Sequence, residues 1–213
     1  MATILIIGAS KGIGLETVKA ALDAGHTVRA FARSALGIAI THERLEKIAG
    51  DALSAQDISK ALSGADAVIQ SLGVASVGEL AAGSTLFSQS TRILIDAMKA
   101  SGVKRLIAVT GLGAGNSRGH FGFVYDRIIF PLLLSRIYAD KDIAEQMIVG
   151  SGLEWTIARP GMLTNGPATH AYKVLPDSQD WRYGSISRAD TGDFLVQQVS
   201  DRTMLGKTPL LIG

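Results

Sequence analysis

Three glycines close behind the first apolar run constrain this chain more than any other feature. Residues Thr3-Ile4-Leu5-Ile6-Ile7 lead directly into Gly8-Ala9-Ser10-Lys11-Gly12-Ile13-Gly14. An apolar β-type run that stops at a glycine turn and opens into a helical pattern is the layout of a βα unit that binds a dinucleotide. The spacing is G-x-x-x-G-x-G, the wider form of that pattern. Gly8 permits the tight turn, Gly12 lets the backbone approach a pyrophosphate, and Gly14 lets the helix pack closely on the strand. The helix start then offers unpaired N–H groups and a partial positive charge to the phosphates. Ser10, Lys11 and Ile13 fall inside the same expected cradle.

The strand–helix alternation continues almost to the end of the chain. A helix is expected over residues 15–24, closed by Gly25 in the C′ position. Strands are expected at 27–32, 45–49, 65–69, 105–109, 155–158 and 210–212. Helices are expected at 55–62, at 84–101 with a stop at Gly102, and at 125–149 with a break at Pro131. The last helix, 187–200, opens on Ser187-Arg188-Ala189-Asp190, a capping-box pattern with Asp in place of Glu. Strands joined by helical crossovers imply a parallel sheet with helices on both faces. The expected fold is therefore α/β, a Rossmann-like doubly wound parallel sheet in a single domain spanning 1–213. Residues 160–186 break the rhythm and are richest in Pro, Gly and Asn, as expected of a small substrate-side lobe or lid.

Composition removes several classes of function. With 213 residues, 47% of them hydrophobic, the chain can build one sizeable core. A net charge of +2 argues against a dedicated nucleic-acid surface. There is no cysteine, which excludes disulfides, thiolate catalysis and cysteine-based metal sites. His26, His42, His120 and His170 show no ligand spacing, so no metal is expected. No apolar run reaches membrane-spanning length, and the chain enters its first strand without a basic leader. The expectation is a cytoplasmic protein acting on a small molecule, without nucleic-acid or membrane partners. The apolar stretch 128–138 leaves monomer and homodimer both open.

The second strand ends at Phe31-Ala32-Arg33-Ser34. A carboxylate at this strand end would bond an adenosine ribose 2′-hydroxyl; none stands there. Arg33 suits a 2′-phosphate through charge-assisted hydrogen bonds, and Lys11 adds a second cation. NADP(H) is therefore expected over NAD(H). Asp51, in Gly50-Asp51-Ala52-Leu53, is placed to accept from an adenine amino group or to cap the helix that follows. Leu72 and Gly73 follow the fourth strand, where Gly73 allows close backbone approach. Both segments lie at strand C-terminal ends, where open α/β sheets bind ligands.

Taken together, these pieces resemble the short-chain dehydrogenase/reductase superfamily. The likeness is to its atypical branch, which includes NmrA-like proteins and the biliverdin reductase B/flavin reductase and NADH-flavin reductase group. It is carried by Gly8–Gly14, Arg33, Gly50-Asp51-Ala52-Leu53, and Gly64-Ala65-Asp66-Ala67-Val68-Ile69 leading to Leu72-Gly73. Further along it is carried by Val109-Thr110-Gly111, by Asp140-Lys141 with Glu145, by Ser151-Gly152-Leu153-Glu154-Trp155-Thr156-Ile157-Ala158-Arg159-Pro160-Gly161, and by Ser187-Arg188-Ala189-Asp190.

The superfamily's usual catalytic set is Ser, Tyr and Lys, with Tyr four residues before Lys. Here Ile137 stands four before Lys141, and Tyr138 three before it. One residue is a 100° rotation on a helix, so Tyr138 is displaced from the usual place yet remains near Lys141 on one face. An adapted role and plain packing both stay open for it. The resemblance implies that Lys141 lies near the nicotinamide ribose; an i,i+4 ion pair with Glu145 is the alternative. It implies further that Thr110 orients substrate or cofactor, that Gly111 leaves room for the ring, and that Pro160, Gly161 and Met162 border the nicotinamide. Tyr125 follows a glycine-rich loop, but no spacing rule supports it.

Flavins and quinones accept hydride at a polarised ring and need no dedicated tyrosine acid. The displaced tyrosine therefore favours an NADPH-dependent reductase of flavin- or quinone-like acceptors. An NmrA-like redox sensor that binds nucleotide without turnover is the alternative. Sugar-nucleotide epimerase or dehydratase chemistry fits less well, since it goes with the intact Tyr–Lys pattern and a larger C-terminal region.

Overall fold

The computed structural model describes residues 1–73, 85–111, 113–114 and 135–213. Six strands alternate with helices in chain order: β1 Thr3–Ile7, α1 Gly12–Asp23, β2 Thr27–Ala32, β3 Leu45–Ala49, α2 Ala55–Leu62, β4 Ala67–Gln70, α3 Leu86–Ser101, β5 Arg105–Val109, α4 Ser135–Val149 and β6 Glu154–Pro160. Short strands β7 Met162–Thr164, β8 Lys173–Leu175 and β9 Ser185–Ser187 follow, then α5 Arg188–Gln197 and β10 Leu210–Ile212.

The main sheet has the order β3-β2-β1-β4-β5-β6-β10-β8. All its pairings are parallel except β8 with β10. Strand order reverses between β1 and β4, which opens a crevice at the strand C-termini. Because side chains alternate across a strand, β1 feeds two cores at once. Ile4 and Ile6 pack with Val18 of α1 and Phe194 and Leu195 of α5. Leu5 and Ile7 pack with Ile58 of α2, Leu94 and Met98 of α3, and Ile148 of α4. The continuous apolar strands are thus covered on both faces, as a parallel sheet requires.

Local chemistry sets the helix ends. Gly25 (φ +83°) and Gly102 (φ +77°) take the left-handed conformation that closes α1 and α3. Ser54 caps α2 by accepting from the Asp57 N–H at 3.2 Å. That corrects the capping expectation for Asp51: its carboxylate accepts from the Leu53 N–H at 3.0 Å, inside the preceding turn.

Several boundaries differ from expectation. Helix α1 starts at Gly12 rather than residue 15, because the glycine turn itself runs into the first helical turn. Strand β4 begins at Ala67, since the Ala65 N–H is taken back by Leu62. Helix α5 ends at Gln197, three residues before the expected stop. The start of the helix expected over 125–149, with Pro131 and Tyr125, lies outside the described residues, as does residue 84.

The capping box is also half changed. The Ser187 hydroxyl accepts from the Asp190 N–H at 2.9 Å. The Asp190 carboxylate, however, receives the N–H groups of Thr169 and His170 at 2.7 and 2.9 Å. It pins the segment after β7 rather than returning to the cap backbone. Residues 160–186 therefore divide: β7 pairs with β9 in a separate two-stranded sheet, while β8 extends the edge of the main one.

Candidate functional site

The C-terminal ends of β1 through β6 open onto one cleft of about 910 Å³. Its floor begins at the glycine turn. Gly8 has φ +86° and donates its N–H to the Phe31 carbonyl at 2.9 Å. A Cβ on Gly8 would collide with the Ser71 carbonyl, so this glycine joins β1, β2 and β4 at the crevice. Gly14 is buried, and a Cβ there would strike the Gly8 carbonyl. It therefore serves the packing of α1 on β1 and, unlike the other expected cofactor residues, does not line the cleft.

Gly12 is different. It is exposed at φ +60°, and among the described residues only Arg188 Nε comes as near as 4.0 Å to its missing side chain. Among the described residues no side chain caps the start of α1, where Lys11 is the N-cap residue. The first-turn amides and the positive end of the helix thus face the cleft beside Ser10, Lys11 and Ile13. An open glycine cradle against an uncapped helix start fits a pyrophosphate.

Arg33 and Ser34 line the next stretch of wall, with Asp51, Ala52 and Leu53 opposite. Arg33 is exposed, and among the described residues neither it nor Lys11 forms an ion pair. Two cations without ion pairs among the described residues therefore flank this end of the cleft, and Asp51 is the one carboxylate among the described residues of its wall. Leu72 and Gly73 continue the lining from β4.

Thr110, Gly111, Tyr138 and Lys141 meet at the other end. Lys141 Nζ donates to the Thr110 carbonyl at 2.6 Å. It also sits 5.0 Å from the Phe87 ring centroid and 5.2 Å from that of Tyr138, within cation–π range of both. Desolvation by burial lowers its pKa to about 8, with the Glu145 carboxylate partly opposing that fall. A side chain on Gly111 would stand 3.6 Å from Tyr138 Oη and 3.9 Å from Lys141 Nζ. The two polar groups thus share the space above Gly111, despite the one-residue offset in spacing.

Beneath them lies a network the sequence reading did not assign. The Thr110 hydroxyl donates to Glu145 Oε1 at 2.6 Å. Glu145 in turn takes both Arg159 Nε at 3.1 Å and Nη2 at 2.6 Å. The expected Lys141–Glu145 alternative is thus replaced by a bidentate Arg159–Glu145 pair, and Lys141 turns to the Thr110 backbone. Beside Lys141, the buried Asp140 carboxylate accepts the Phe87 N–H at 2.8 Å and anchors the start of α3.

Pro160, Gly161 and Met162 complete the wall. A Cβ on Gly161 would strike the Gly184 carbonyl, and Gly161 donates its N–H to Leu211 at 2.9 Å. Tyr183 and Arg188 also line the cleft and were not foreseen. Arg188 lies in the quoted Ser-Arg-Ala-Asp motif and Arg159 in Arg-Pro-Gly, so both were visible as motif members without a role. Among the described residues no group of His, Asp and Glu is arranged to hold a metal ion, and no helix is long and apolar enough to cross a membrane.

The NAD(P)H-binding family matches residues 8–202. This chain belongs to that family. Within reach of it stands YhfK of Bacillus subtilis, named an uncharacterized sugar epimerase. It is 28% identical over 212 residues, covering 93% of this chain and 88% of that one. ChuY of Escherichia coli O157:H7, described as an anaerobillin reductase, is 25% identical with a TM-score of 0.78, over 99% of this chain and 96% of that one. A wide-type short-chain dehydrogenase/reductase of Veillonella parvula, solved in complex with NADP, shares the fold at a TM-score of 0.81. It is 19% identical, with 100% and 94% of the two chains covered. The NAD(P)H-binding family, the glycine cradle and the cleft agree on a dinucleotide site in a Rossmann-like fold.

Proposed function

We propose that this chain is an NADPH-dependent reductase of the atypical short-chain dehydrogenase/reductase branch, acting on a small flavin- or quinone-like acceptor. The observation that carries the reading is the distribution of charge and proton donors along one cleft. Lys11 and Arg33, without ion-pair partners among the described residues, stand beside the uncapped helix start. They suit a 2′-phosphate in addition to a pyrophosphate.

NADPH, when bound, supplies the hydride. The amides around Gly12 hold the phosphates, and Lys141 suits the nicotinamide ribose hydroxyls. Thr110 has committed its hydroxyl proton to Glu145, so it offers the cleft lone pairs and not a proton. The Tyr138 hydroxyl and the Lys141 ammonium are proton-bearing groups at this end of the cleft. Tyr138, Met162, Leu163 and Tyr183 give this end of the cleft a mixed aromatic and apolar wall. Such a wall suits a flat conjugated acceptor. The 25% identity to a protein described as a reductase supports the same class.

A second reading, a redox sensor without turnover, draws on that same Thr110–Glu145 bond, because it removes one hydroxyl from proton transfer. Steady-state oxidation of NADPH and NADH across a panel of flavins and quinones separates the two. The reductase reading expects acceptor-dependent NADPH oxidation that saturates in both substrates. Tight NADPH binding with no oxidation across the panel would replace it with the sensor reading.

A further inference from the structure

Arg188 is the first residue of α5, far along the chain from the glycine turn. The fold nonetheless brings its Nε to 4.0 Å from where a Gly12 side chain would begin. Its guanidinium is held in place: Nη1 donates to Asn165 Oδ1 at 2.7 Å and to the Thr164 carbonyl at 3.2 Å. Both anchors are neutral. Among the described residues Arg188 pairs with no carboxylate, and Nε and Nη2 make no hydrogen bond there.

A fixed, partly buried cation thus faces the positive end of α1 across an open glycine. Each repels the other until an anion lies between or beside them. The anchors leave the fork of Nε and Nη2 available, a geometry suited to two phosphate oxygens.

We propose that Arg188 is a pyrophosphate-binding residue that closes the cradle opposite the α1 amides. This rests on the dinucleotide reading of the cleft but not on any acceptor. Its consequence differs from that of Arg33. The pyrophosphate is common to NADPH and NADH, so Arg188 serves both nucleotides equally and contributes nothing to the choice between them. By holding Asn165 and Thr164, it also ties the segment after β7 to the phosphate cradle.

The test is calorimetric titration of wild type and Arg188→Gln with NADPH, NADH and adenosine 2′-monophosphate, which carries the 2′-phosphate but no pyrophosphate. Losing a charge-assisted fork is expected to weaken both dinucleotides by about 10-fold or more, in equal measure. Adenosine 2′-monophosphate is expected to change by less than about twofold, since its phosphate lies elsewhere. Dinucleotide affinities within about twofold of wild type would overturn the assignment. So would an equal loss for adenosine 2′-monophosphate, which would report a general disturbance of the fold. A wild-type protein that binds neither dinucleotide would overturn the cleft reading along with this one, whereas a silent Arg188→Gln in a binding protein overturns this one alone.

Discussion

The Glu145 carboxylate and the Arg159 guanidinium meet through two hydrogen bonds, at 3.1 and 2.6 Å, directly beneath Thr110. Their side chains are 7% and 3% exposed. Breaking such a buried pair by removing one partner costs about 3–5 kcal/mol. Glu145→Gln is therefore expected to destabilise the protein by about 3 kcal/mol or more, read by denaturant unfolding. A change within about 0.5 kcal/mol, the range of ordinary surface substitutions, would show that the pair is not what holds the ends of β5 and β6 against α4.

In the reductase reading, Lys141 makes turnover depend on pH. Burial holds its pKa at about 8, below the ordinary 10.5. Its ammonium charge is present below pH 8 and lost above it, so NADPH-dependent turnover is expected to fall as pH rises through 8. Stability moves the other way. Between about 8 and 10.5 the unfolded chain holds the Lys141 proton more firmly than the folded one, so stability from this group rises with pH there. Relative to Lys141→Met, the wild type should gain stability between pH 8 and pH 10.5. Parallel stability–pH curves for the two proteins would contradict this.

The proposed preference for NADPH rests on Arg33. Arg33→Asp removes the guanidinium and adds a carboxylate suited to a ribose 2′-hydroxyl. NADPH affinity is expected to fall by about 100-fold, the scale of one or two charge-assisted hydrogen bonds. NADH affinity should hold or improve. Equal losses for the two nucleotides, measured by titration, would remove Arg33 from the 2′-phosphate site.

Gly12 and Gly14 separate binding from folding. A Cβ at Gly14 would strike the Gly8 carbonyl, so Gly14→Ala should cost about 1–3 kcal/mol of stability through overpacking. A Cβ at Gly12 would come no nearer than 4.0 Å to Arg188 Nε, although φ is +60° there. Gly12→Ala is expected to leave most of the fold intact and to lose nucleotide affinity. Thermal melting and NADPH titration of both variants check the contrast, which fails if Gly12→Ala binds like wild type.

The parts of this protein that were legible in its sequence are those governed by neighbours along the chain. The stop at Gly25 and the αL end at Gly102 follow from residues within one turn of them, and the glycine spacing carried the phosphate cradle. The parts that were not legible depend on distant contacts. Glu145 and Arg159 are presented by α4 and β6, and only packing decides that they pair in place of Glu145 with Lys141. Asp190 looks like a local cap, yet it spends its carboxylate on Thr169 and His170. Strand β8 joins β10 in antiparallel fashion, which its three residues do not announce. Tyr138 shows the same limit: helix geometry moves it from the usual position, yet the fold still sets its hydroxyl beside Lys141 over Gly111.

The most direct measurement is an anaerobic single turnover. Protein loaded with one equivalent of NADPH is mixed with a flavin or quinone, and both the reduced nicotinamide and the acceptor are followed by absorbance. The expected result is stoichiometric loss of NADPH with matching acceptor reduction, much faster than in a protein-free control. Nucleotide that stays bound and reduced at the control rate, with every acceptor tried, would contradict a reductase and leave a protein that senses the nucleotide without using it.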